Sequence, residues 1–114
     1  AFGGLRTPRA LSVDEIHGLV GAFAVAAGRA VAAGFQAIQI HAAHGYLISQ
    51  FLDPLSNERD DEYGGDLTGR SRFLVEVVDA VRGAVPEGVP VLVRISATDW
   101  AAGIWTRPSH YPRC

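Results

Sequence analysis

The chain has 114 residues, is 48% hydrophobic and carries a formal net charge of −2, with a pI near 6.1 and a mean hydropathy of +0.15. That size admits one domain at most, the apolar content fits a packed globular chain, and the charge offers no electrostatic case for nucleic acid or an anionic membrane. The one cysteine, Cys114, rules out an internal disulfide or a cysteine-based metal cluster, and neither a continuous apolar span nor a signal pattern is read, so cytoplasm is the expected location.

All ten basic residues are arginines, and the chain has no methionine and begins at Ala1. A piece of a longer protein is the expectation.

In chain order, Ser12 followed by Glu15 reads as a capping box ahead of a helix. Ile16, Val20, Phe23, Ala27 and Ala30 or Val31 then recur at three- and four-residue steps, making one apolar stripe that Gly34 should end. "FQAIQIH" predicts a short strand with Ile38 and Ile40 on one face and Ala37, Gln39 and His41 on the other. "GYLISQFL" predicts a short helix stopped by "DP".

The polar stretch "DPLSNERDDEYGGD" is long for a connection and marks a candidate functional loop. Its charges nevertheless suit local ion pairs around Arg59, exposed and individually weak, and a structural role is expected of it. Asp66 should cap a second long helix with the stripe Phe73, Val77 and Val81, broken by Pro86 and Gly88. "PVLVRISA" follows as a strand with Val91, Val93 and Ile95 on one side and Leu92, Arg94 and Ser96 on the other.

Helix, strand, helix, strand with aliphatic strand faces predicts α/β architecture built from parallel βα units. His41 and Arg94 fall at the C-terminal ends of the two strands, opposite the branched aliphatics, where a (β/α)8 barrel places its active site. Two such units make only part of a barrel, since a whole one takes roughly 250 residues. The expected fold is therefore a partial (β/α)8 TIM barrel over residues 1–103, followed by an aberrant tail at 104–114 where the patterning stops, as a shifted reading frame would produce.

Two histidines three residues apart, at the junction of strand and helix, admit three readings. They are neutral donors aimed at a ligand, part of a metal site, or polar residues that finish a strand. A zinc site needs a third ligand, and no further His or Cys stands at a recognisable spacing. Tyr46 carries a phenol, a group that can donate a proton at neutral pH or simply pack as an aromatic. Arg94, an inward-facing guanidinium on an apolar strand, needs an anionic or polar partner.

The run "IHAAHGYLISQFLDPLSNERDDEYGG" with "RSRFLVEVVDAVR" and "VLVRISA" resembles the old yellow enzyme family of FMN-dependent ene-reductases, over about Gly3 to Gly103. The resemblance implies a (β/α)8 barrel, bound FMN reduced by NADH or NADPH, and a small enone or similar activated alkene as substrate. It gives His41 and His44 the substrate's carbonyl oxygen, where fixed donors stabilise developing negative charge. It gives Tyr46 protonation of the α-carbon or a substrate hydrogen bond, and Arg94 the flavin N1 and C2 carbonyl edge. The His-x-x-His form is similar to the bacterial thermophilic-like and dienoyl-CoA reductase branches, the latter iron–sulfur flavoproteins.

Two positions depart from the family pattern. Gln39 stands where a carboxylate is usual, and Gly69 stands where asparagine is usual, which should weaken the first turn of a helix by up to about 1 kcal/mol. Competing readings are an inert barrel fragment and, third, a metal-dependent barrel hydrolase. An oligomeric parent stays open.

Overall fold

Ser12 does cap the first helix, α1, which runs Val13–Ala32. Its hydroxyl accepts from the Glu15 N–H at 3.2 Å while the Glu15 carboxylate accepts from the Ser12 N–H at 2.8 Å, so two otherwise unpaired donors are satisfied reciprocally. The same carboxylate pairs with Arg9, and that pairing, ahead of the Ser12 N–H, holds Glu15 down to about 2. At the far end Gly34 takes φ 98, and the N–H groups of Gly34 and Phe35 close on the carbonyls of Val31 and Ala30. This is the 5→2 and 6→1 pairing of a glycine-terminated helix.

The structure, a computed structural model, describes residues 7–98. The expected tail at 104–114, the change at Gly103 and Cys114 lie outside the described residues.

Strand β1 (Ile38–Ala42) follows, then the short helix α2 (Leu47–Leu52), helix α3 (Leu67–Ala84) and strand β2 (Val91–Ile95). The strands pair in parallel, with Ile38 opposite Val91, Ile40 opposite Val93 and His41 opposite Arg94. The result is a mixed α/β arrangement with a two-stranded parallel sheet, as the element order predicts. Strand bounds fall short of the predicted runs at both ends of β2 and at the start of β1, where residues 35–37 precede the paired stretch.

The helices α1 and α3 pack together and cover one face of the sheet. Ile16 and Ala27 from α1, Ile40 and Ala42 from β1, and Phe73, Val77 and Val81 from α3 are buried in one cluster with Ile48 and Phe51 of α2. Phe73 is its hub, with ring centroids 4.7 Å from Phe51 and 6.4 Å from Phe23. Val20 and Phe23 sit at the margin of the cluster, partly buried, so the α1 stripe is real but unevenly covered.

By length and composition α1 is apolar enough to cross a membrane, with mean hydropathy 1.2. Its first turn carries Asp14 and Glu15, its last turn carries Arg29, and its apolar stripe is spent on α3.

The loop between α2 and α3 is held by side chains reaching its backbone. Asn57 donates to the carbonyls of Phe51 and Tyr63, at 2.7 and 2.8 Å, and accepts from the Arg59 N–H. Arg70 reaches the carbonyls of Leu52 and Gly65, and Arg72 that of Glu62. The Arg59–Asp61 pair is not the exposed, weak contact expected. Arg59 is 16% exposed, donates to the Leu11 carbonyl at 2.7 Å, and lies 5.7 Å from the centre of the Phe51 ring. Asp61 is held below the usual carboxylate range by that guanidinium.

Gly69 also has a reason that propensity alone does not give. A Cβ there would lie 2.0 Å from the Gly64 carbonyl oxygen, and a Cβ on Gly64 would lie 2.0 Å from that of Arg59. The loop folds back on the first turn of α3 so closely that only glycine fits. The Asp66 carboxylate still caps α3 through the Gly69 N–H at 2.9 Å.

Candidate active site at the strand ends

Alternation along β1 puts Ile38, Ile40 and Ala42 toward the helices and Gln39 and His41 on the opposite, open face. Register then makes Arg94 of β2 the lateral neighbour of His41 on that face, one strand spacing of about 4.8 Å away. Both side chains are exposed. An inward-facing Arg94 is the expectation for a closed barrel. It occupies the predicted sheet face, but that face is open in a sheet of two strands, and Arg94 forms no ion pair among the described residues.

Beyond β1 the chain turns sharply. His44 adopts φ 61 and Gly45 φ 73, two consecutive left-handed residues. Glycine does this freely, whereas a histidine in this region costs about 1–2 kcal/mol. The turn is tied on two sides. The His44 N–H donates to the Ser96 hydroxyl, just past β2, at 3.0 Å. The Gly45 N–H donates to Ser49 at 3.3 Å, and the Gln50 amide donates to the Gly45 carbonyl at 2.8 Å.

This turn gathers three of the predicted site residues. The rings of His41 and His44 lie 5.3 Å apart at 65°, and those of His41 and Tyr46 lie 5.4 Å apart at 53°. Tyr46 is the N-cap of α2 rather than its first helical residue, because its backbone is still extended at φ −78, ψ −178. Tyr46 is 65% exposed. The alternative in which the histidines merely finish the strand fits only His41, since His44 lies past the strand in the left-handed turn.

What the site can do chemically follows from its members. Two imidazoles with ring centres 5.3 Å apart can donate to a single acceptor atom, a neighbouring phenol can give up a proton, and a guanidinium adds fixed positive charge beside them. Among the described residues, no group of three His, Cys, Asp or Glu is gathered as a metal ion would require. The larger groove, about 630 Å³ between Arg9, Leu11, Phe51, Asn57 and Arg59, includes none of the four site residues. A smaller cleft of about 360 Å³ between α1 and β1 reaches only His41.

Ser96 is the member that reasoning from the sequence left without a role. Its placement on the Arg94 face was readable from strand alternation, but its contact with a residue 52 positions earlier was not.

Comparison with known proteins places these residues in a wider setting. The sequence model of the NADH:flavin oxidoreductase / NADH oxidase family matches residues 3–106, three residues past the end expected at Gly103. An NADPH dehydrogenase of Clostridium acetobutylicum is 54% identical over 104 residues, covering 91% of this chain and 31% of that protein. An NADH:flavin oxidoreductase of Gibberella zeae is 54% identical over 93 residues, 82% of this chain and 22% of its own length. An NADPH dehydrogenase of a Geobacillus species is 54% identical over 95 residues, 83% of this chain and 27% of its own. The chain thus spans between about a fifth and a third of the length of these relatives.

Proposed function

The chain belongs to the NADH:flavin oxidoreductase / NADH oxidase family, the old yellow enzymes, and on that premise we propose that it forms the substrate-binding part of an FMN-dependent, NAD(P)H-linked reductase of activated C=C bonds. The observation that carries this reading is the cluster of His41, His44 and Tyr46 beside Arg94 at the C-terminal ends of two parallel strands. The two βα units take their place as neighbouring units of a (β/α)8 barrel, whose active site lies at that end.

The donor set fits a flavin at one ring edge. The Arg94 guanidinium is exposed, free of a carboxylate partner among the described residues, and shares a sheet face with His41. Fixed positive charge in that position suits the electron-rich edge of the ring system. When bound, FMN supplies hydride to the alkene after taking it from NAD(P)H.

The remaining work falls to the chain's own side chains. His41 and His44 donate to the carbonyl oxygen of an enone, and their hydrogen bonds strengthen as negative charge builds there. The left-handed turn brings the second imidazole to the first and leaves both rings exposed. Tyr46, tilted against His41 and open to the ligand side, delivers a proton to the α-carbon.

Sheet edges and the exposed Leu92 and Ile95 indicate that the described residues alone lack the walls of this site. The isolated chain is expected to bind FMN weakly and to show no turnover. The direct test is to place residues 7–98 in the matching stretch of the Clostridium acetobutylicum enzyme and assay NADPH-dependent reduction of 2-cyclohexenone. Retained FMN and enone reduction support the proposal. A folded graft that holds FMN, oxidises NADPH and leaves the enone untouched refutes it.

A further inference from the structure

We propose that Ser96 is a positioning residue for His44, setting the spacing of the two imidazoles from the neighbouring strand. His44 sits at φ 61, a conformation that competes with the right-handed and extended states open to any residue with a side chain. Something must select it.

Gly45 is tied to α2 through Ser49 and Gln50, but those contacts engage the His44–Gly45 and Gly45–Tyr46 peptides, both beyond the His44 N–H. The N–H of His44 itself donates to the Ser96 hydroxyl at 3.0 Å, which fixes the peptide on whose rotation φ depends. Releasing that N–H frees φ to relax, and the Cβ and ring swing with it. The 5.3 Å separation from His41 is then no longer held.

The source of the tie matters as much as its existence. Ser96 stands two residues past Arg94 on the same alternating face of the chain leaving β2. One strand end therefore presents the guanidinium and anchors the second imidazole, so that the two cannot shift independently. A hydroxyl suits this task because it accepts from the backbone without adding charge beside the donors.

That His44 meets a ligand rests on the function proposed above, whereas the placement of its ring does not. The test therefore uses the 114-residue chain without flavin, nicotinamide or alkene, and its outcome is independent of the turnover assay. Isotope-labelled wild type is compared with Ser96→Ala, Ser96→Thr and Ser96→Val by amide exchange at His44 and by the nuclear Overhauser contact between the His41 and His44 rings. Signals from Phe73 and Val77 report the core.

In Ser96→Ala the His44 amide should exchange about fivefold faster, the scale of one lost hydrogen bond, and the ring contact should vanish while the core signals stay. Threonine should restore both readouts because it keeps the acceptor. Valine, of the same shape without the hydroxyl, should not, and this pair decides the matter if alanine disturbs the core. Equal behaviour of the threonine and valine variants overturns the proposal, as does a His44 amide that is unprotected in the wild type.

Discussion

Above about pH 10 one buried phenol should govern the stability of this chain. Tyr63 is 1% exposed, and its hydroxyl donates to the Glu76 carboxylate at 2.9 Å. Burial first, and that carboxylate second, push the phenol up to about 12 from its ordinary 10. Unfolded, Tyr63 ionises near the ordinary value. Folded, it keeps its proton to the higher one. Between them the unfolded state binds fewer protons, so the stabilisation present in full below pH 10 is lost as pH rises through 12. A difference of about two units corresponds to a loss on the order of 3 kcal/mol across that window.

The chain contains no lysine, which leaves this alkaline range unusually quiet. Urea unfolding followed by circular dichroism at a series of pH values should show stability falling across the window in wild type. Tyr63→Phe should cost about 1–2 kcal/mol at neutral pH, through the lost bond to a carboxylate, and should flatten the alkaline fall. If Tyr63→Phe declines as steeply as wild type between pH 10 and 12, the link between Tyr63 ionisation and stability is wrong.

Two further outcomes follow from close packing and from charge. Gly64→Ala forces a Cβ to 2.0 Å from the Arg59 carbonyl oxygen and should destabilise the chain by on the order of 1–3 kcal/mol in urea titrations. Arg94→Ala in the grafted enzyme should lower FMN occupancy and make the flavin harder to reduce, read by potentiometry; full occupancy at an unchanged potential would leave Arg94 outside the cofactor site.

Much of the frame was legible because it is local. Ser12 with Glu15, Gly34, and Asp66 announce helix ends through contacts within a few residues, and period-3.6 stripes mark the faces that bury Ile16, Phe73 and Val77. Alternation likewise put His41 and Arg94 on one sheet face. The partly buried setting of Arg59 was not legible, because it depends on the Leu11 carbonyl 48 residues away and on the Phe51 ring. Gly69 misled for a related reason: helix propensity prices its flexibility, but not the Gly64 carbonyl that occupies the space of its missing side chain. The left-handed state of His44 escaped as well, since a histidine gives no sign of it and the Ser96 contact that accompanies it is long-range.

Whether the two imidazoles hold the substrate is tested by phenol binding to the grafted enzyme, read as the charge-transfer absorbance of a phenolate over the flavin. His41→Ala combined with His44→Ala should weaken 4-hydroxybenzaldehyde binding by about 2–4 kcal/mol, two hydrogen bonds at about 1–2 kcal/mol each, while FMN occupancy stays near that of the unsubstituted graft. Phenol affinity that survives the double substitution, with FMN fully bound, would contradict the assignment of the two imidazoles to the substrate.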